Sequence, residues 1–149
     1  MPRPILVSAC LLGLPTRYDG GSKSHPGVLA LVEDPALILI PVCPEQLAGL
    51  PTPRPPCSFL QGDGGDILAG RGELRDEGGR AMHEAFVRGA EVTARIAALT
   101  GCSEAILKER SPSCGVHQVV RSGLAVPGQG VTAAHLQRLG LKLRSEETL

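Results

Sequence analysis

Three short apolar runs in this chain each lead to a cysteine set among loop-forming residues, and this arrangement limits the fold more than any other feature. Ile5-Leu6-Val7-Ser8-Ala9 leads into Cys10-Leu11-Leu12-Gly13, and Ala36 to Val42 leads into Cys43-Pro44-Glu45. Glu104 to Leu107 leads, a few residues on, into Ser111-Pro112-Ser113-Cys114-Gly115. Continuous apolar runs this short, bounded by Gly, Pro and polar residues, suit strands buried on both faces of a parallel sheet. Loops at the carboxyl ends of neighbouring parallel strands lie together. Cys10, Cys43 and Cys114 are therefore predicted to meet and hold a metal centre. The three are far apart in sequence and form no local pair, so only the fold can assemble them. A cysteine taken singly fits a core as a small hydrophobe, and that reading is given to Cys57 and Cys102.

The remaining segments alternate between strand and helix. Residues 4–8 and 36–42 read as buried strands, 11–24 as a long loop, and 26–32 as a short helix with Pro26 at its first position and Ser24 or His25 near its cap. The proline-rich passage 51–56 reads as extended surface loop, and the glycine-rich stretch 61–72 as a short hairpin or edge strand. Between Glu77 and Leu99 the residues Met82, Ala85, Phe86, Gly89, Val92, Ile96 and Leu99 recur at helical spacing, with Gly101 as the stop. Strands are predicted over 103–108, 116–121 and 141–144, and a last amphipathic helix over 131–139. This pattern predicts an α/β fold: one domain over residues 1–149, with a mainly parallel open sheet flanked by helices and a site at the carboxyl ends of the strands.

Composition narrows the function. Fifteen basic and fifteen acidic residues cancel to a net charge of zero, which argues against nucleic acid as a partner. Tyr18, Phe59 and Phe86 are the only aromatic residues, too few for a base-stacking platform. No apolar run approaches the length of a membrane span and the N-terminus lacks a signal-peptide pattern, so a cytoplasmic, membrane-free protein is expected. An odd number of cysteines, five, favours free thiols, metal ligands or a nucleophile over a disulfide framework.

Three thiolates with no obvious fourth ligand leave one metal position open, as catalytic centres do, and thiolate ligation suits either zinc or an iron–sulfur cluster. Glu45, two residues after Cys43, is placed to move protons, and Ser111 or Ser113 to bind substrate or water. Lys108 is a candidate to orient an anionic group. Arg17, Tyr18, Asp19 and Arg54 either line the pocket or brace its turns. His25, His83, His117 and His135 show no ligand spacing and receive no role. Two other readings use the same residues: a non-catalytic zinc- or metal-binding module, and a metal-free thiol enzyme with Cys114 as nucleophile.

Several motifs together resemble one family. They are Ser8-Ala9-Cys10-Leu11-Leu12-Gly13, Arg17-Tyr18-Asp19-Gly20, Cys43-Pro44-Glu45, Leu50-Pro51-Thr52-Pro53-Arg54, and Ile106 to Gly115, followed by Gly130 to Ala134 and Ser145-Glu146. The chain is similar along nearly its whole length to a bacterial domain-of-unknown-function family whose characterised members are thiouracil desulfidases. The resemblance implies a [4Fe-4S] cluster on Cys10, Cys43 and Cys114 with one iron free for the substrate's sulfur. It further implies Glu45 as acid/base, Ser111 as active-site serine, and a small thiolated pyrimidine as substrate; by position, Ser113, Lys108, Arg17 and Asp19 are the candidates to contact it. Thr16 and Ser58 depart from the family's pattern, and Ser58 bears on the choice of substrate. The oligomeric state is not specified by any of these features.

Overall fold

The computed structural model describes residues 1–149. Its first sheet contains four strands: β1 (Arg3–Ser8), β2 (Leu37–Val42), β5 (Glu104–Leu107) and β8 (Lys142–Ser145). They pair in the order β2-β1-β5-β8, all parallel. The apolar run of β1 is continuous because both faces are covered. Ile5 and Val7 pack with Leu11, Val28 and Ile106, while Leu6 packs with Ala97, Leu107, Ala133 and Leu136 on the other face. Val28 comes from α1 (Pro26–Ala30), whose first turn is capped by the His25 side chain accepting from the Val28 N–H.

A second sheet was not part of the sequence expectation. It joins two antiparallel pairs, β3 (Cys57–Gln61) with β4 (Glu73–Asp76), and β6 (Gln118–Arg121) with β7 (Leu124–Pro127), through a parallel contact of β3 with β6. The glycine-rich stretch between β3 and β4 holds α3 (Gly64–Leu68) in place of the expected hairpin or edge strand over 61–72. Asp63 accepts the N–H groups of Gly65 and Asp66 while Asp66 accepts that of Asp63, a reciprocal cap that outweighs the glycines.

One long helix, α4 (His83–Thr100), ties the two sheets together. Its first half sends Phe86 and Ala90 into a core with Phe59, Leu74, Val119 and Val131, and its second half sends Ala97 into the core of the first sheet. Burying a side chain such as Phe86, 2% exposed, contributes about 2–3 kcal/mol. The helix starts later than Glu77 because Glu77-Gly78-Gly79 forms a turn that returns the chain to Arg80, whose carbonyl accepts the Asp76 N–H. Gly89 lets α4 meet the turn after β2: a Cβ there would lie 2.3 Å from the Pro44 carbonyl oxygen. The turn carrying Pro44 is α2 (Pro44–Leu47), and α5 (Val131–Arg138) completes the fold against α3 and α4. No helix is long and apolar enough to cross a membrane.

Candidate functional site

Strand order decides which loops meet. Adjacent strands β2, β1 and β5 run parallel, so their carboxyl ends lie side by side, and the next segments carry Cys43, Cys10 and Cys114. Cys10 lies in the helical turn Ala9–Leu12, Cys43 caps α2, and Cys114 lies in the loop between β5 and β6. All three line one cavity of about 610 Å³. Pro56, Cys57, Ser58 and Val120 of the second sheet and its approach also line it.

The thiols sense one another. Burial pushes the Cys114 thiol up to about 12; bonds from Ser8 and Ser113 oppose this, and Cys43 and Cys10 add to it. Burial also raises Cys10, with Lys108 and Arg17 acting the other way and Cys43 adding to the rise. At 4% exposure the Cys114 sulfur offers little surface to an incoming substrate, whereas reactive cysteines are partly exposed, which counts against the metal-free enzyme built on Cys114. No three His, Cys, Asp or Glu side chains are gathered closely enough to hold a single metal ion.

Glu45, in the first turn of α2, is fixed at both oxygens. Arg54 Nε donates to Oε1 at 2.9 Å and Ser113 Oγ donates to Oε2 at 3.0 Å. Ser111 Oγ stands 3.1 Å from Ser113 Oγ and accepts the N–H groups of Ser113 and Cys114 at 3.2 and 3.0 Å. Thus Ser113 touches Glu45 directly, and Ser111 shapes the turn that carries Cys114. Arg54, from the proline-rich passage expected to be surface, is 8% exposed although its neighbours Pro53 and Pro55 are exposed.

The other candidates divide. Lys108 lines the cavity, but its ammonium is held by Glu146 Oε2 at 3.0 Å and by the Glu109 carbonyl at 2.9 Å. Arg17 lines the cavity with its guanidinium 5.7 Å from the Tyr18 ring centre, and Lys23 lines it too. Asp19 is not brought to the cavity: it is exposed, and its carboxylate accepts the Gly21 N–H at 2.8 Å. Cys102 is buried as expected. Cys57 is not: it is half-buried, faces the cavity, and is pushed up to about 12 by burial and by the neighbouring Glu45. An alternating strand start such as Pro56-Cys57-Ser58-Phe59 hides one side chain in two, and nothing local says which.

Glu109 was missed altogether. Its carboxylate, 2% exposed, accepts the N–H groups of Val116, His117 and Gln118 at 2.8, 2.8 and 2.9 Å and meets His117 Nδ1 at 2.9 Å. Burial alone would raise this carboxyl, but those bonds prevail and hold it down to about 2. The loop bearing Ser111 to Cys114 is thereby tied off at its base. His117, given no role from the sequence, is part of that tie, and His83 Nε2 accepts the Leu74 N–H at 3.1 Å.

A parallel sheet whose strand ends carry three thiols and a clamped carboxylate in one cavity defines an α/β protein with an enzyme-like pocket. The chain belongs to the 2-thiouracil desulfurase family, whose pattern matches residues 5–148. It is 37% identical over 148 residues to the uncharacterized protein YbbK of Bacillus subtilis (strain 168), with 97% of each chain covered. Its fold matches the solved structure of the [4Fe-4S]-dependent thiouracil desulfidase TudS with a TM-score of 0.84 and 38% identity, covering 99% of this chain and 93% of that one.

Proposed function

We propose that the chain, as one catalytic domain, replaces the sulfur of a small thiolated heterocycle of the thiouracil type by oxygen, with a [4Fe-4S] cluster on Cys10, Cys43 and Cys114. The observation that carries this reading is that adjacent strand ends bring these three thiols into one cavity with Glu45. The donor set fits the cluster: thiolates alone are its usual ligands, and the three thiols line one cavity. A volume of about 610 Å³ lies within the range of small-molecule sites. When bound, the cluster supplies a soft Lewis-acidic iron with one position free for sulfur.

The chain's own residues do the rest. Glu45, next to the thiols, takes a proton from the water that attacks the ring carbon and returns it to the departing sulfur. Ser113 donates to Glu45 and orients it, while Ser111 holds the Ser113 and Cys114 amides. Arg17 lines the cavity that takes the ring, and Lys108, fixed by Glu146, places positive charge beside Cys10. The balance is a C=S bond and water converted to a C=O bond and hydrogen sulfide, with no net electron transfer.

Anaerobically purified wild type is expected to hold about four iron and four acid-labile sulfide per chain and to release sulfide from 2-thiouracil. Cys10→Ser, Cys43→Ser and Cys114→Ser should each lose both properties. A wild type that remains free of iron after anaerobic reconstitution refutes the reading.

A further inference from the structure

The Arg54 guanidinium uses all of its nitrogens. Nε donates to Glu45 Oε1 at 2.9 Å, and one terminal nitrogen donates to Thr52 Oγ1 at 2.8 Å and the Pro51 carbonyl at 3.3 Å. The other terminal nitrogen donates to the Thr16 carbonyl at 2.9 Å and faces Cys43 Sγ at 3.8 Å. The Thr52 and Pro51 contacts brace a local turn, and a neutral amide could make them. Of the remaining three, the bond to the Thr16 carbonyl ties in the loop after Cys10, and the contacts with Glu45 and Cys43 are of another kind, because they join one buried cation to a carboxylate and to a thiol on either side of the same short turn. A guanidinium is suited to this, since its donors point along fixed, diverging directions, whereas an ammonium is a point charge that cannot hold two such partners in register.

We propose that Arg54 is a positioning residue that couples the acid/base group to the cluster ligand: it fixes Glu45 through Oε1 and donates an N–H to the sulfur of Cys43. This rests on the reading that Cys43 ligates a [4Fe-4S] cluster. Two consequences follow. An N–H bond to a ligand sulfur draws charge from it and raises the cluster's reduction potential. A carboxylate held at one oxygen by the fork and at the other by Ser113 is aimed before substrate arrives, so losing the fork lowers kcat more than it changes KM.

The test uses reconstituted holoenzyme of wild type, Arg54→Lys, Arg54→Gln and Thr52→Val, and reads iron and sulfide content, cluster midpoint potential, kcat, KM and thermal unfolding. Arg54→Lys and Arg54→Gln are expected to bind the cluster, to show a more negative midpoint than wild type, and to lose at least about tenfold in kcat with a smaller change in KM. Lysine restores neither property. Thr52→Val removes the Arg54 brace contact and the bond that Gln46 Nε2 donates to Thr52 Oγ1 at 2.7 Å, leaves the Arg54 contacts to Glu45 and Cys43 in place, and is expected to lower the unfolding temperature while leaving midpoint and kcat as in wild type. An unshifted midpoint in both Arg54 variants, or a kcat loss that merely follows the folded fraction, overturns the proposal. If neither Arg54 variant folds, Thr52→Val decides: a lowered midpoint and kcat there assign Arg54 to bracing and overturn the proposal, and unchanged values uphold it. A wild type without iron defeats the functional reading itself, whereas a loaded wild type with unaffected Arg54 variants defeats this assignment alone.

Discussion

Gly130→Ala isolates the steric fit on which the Cys114 loop depends. Gly130 has φ −68° and ψ 164°, a backbone that any residue adopts, so alanine meets no conformational bar and gains about 0.4–1 kcal/mol through the unfolded state. Contact opposes it. The new Cβ would lie 2.4 Å from the Ser113 carbonyl carbon and 2.7 Å from the Cys114 nitrogen. Carbon–carbon contacts settle at about 3.5–4.0 Å, so the start of α5 and the Ser113–Cys114 peptide must part by roughly 1 Å. Gly130 cannot retreat, because a Cβ on Gly64 behind it would already lie 2.2 Å from the Gly130 carbonyl carbon. Parting also stretches three bonds of 2.9 Å, from Gly130 N to the Gly115 carbonyl, Val131 N to Pro112 and Thr132 N to Ser113. Overpacking of this kind costs about 1–3 kcal/mol, and weakened bonds add up to about 1 kcal/mol each. The net expectation is about 2–4 kcal/mol of destabilisation, with a fall in turnover of about 10²-fold because Ser113 moves relative to Glu45. Urea unfolding, iron content and sulfide release would be compared with Gly78→Ala, whose Cβ would meet only Asp76 Oδ1 at 3.4 Å, an ordinary van der Waals distance. Equal stability and equal iron content in the two variants would refute the steric argument.

Two further outcomes are expected. The Glu109 carboxyl lies at about 2 in the fold against an ordinary 4.5, so its contribution to stability is complete above pH 4.5 and is lost as pH falls through that window toward 2. At 1.36 kcal/mol per unit this is worth about 3 kcal/mol. The stability gap between wild type and Glu109→Gln, from urea unfolding of metal-free protein, should therefore narrow as the pH is lowered, and a constant gap would be inconsistent with it. Glu45→Gln should keep the wild-type iron content and visible spectrum while sulfide release falls by about 10²-fold or more; undiminished release would remove Glu45 from the chemistry.

The first sheet was legible because its inner strands β1 and β5 are buried on both faces and carry apolar runs, as in Ile5 to Val7, while the edge strand β2 keeps an apolar run although Ile38 is exposed. The second was not, because β3, β4, β6 and β7 are four or five residues long and the contact that joins the two pairs, Phe59 with Arg121, links segments far apart in sequence. The Gly62 to Gly72 stretch misled for a related reason: glycine content signals turns, but the reciprocal Asp63 and Asp66 bonds start a helix there.

The site divides in the same way. Residue type alone selected Cys10, Cys43, Cys114 and Glu45, because thiols and a carboxylate set in turn-forming sequence at strand ends have chemistry that a core does not need. Sequence could not choose between Ser111 and Ser113, release Asp19 from the cavity, bring Cys57 into it, or seat Arg54 between Glu45 and Cys43. Those outcomes depend on which strand lies beside which and how closely the intervening backbones approach. The chain therefore carries its reactive atoms in its sequence, whereas the order β2-β1-β5 and the packing of Gly130 on Ser113 decide which of them meet. The physical reason is that side-chain chemistry is local, while strand neighbours are fixed by the burial of the whole core.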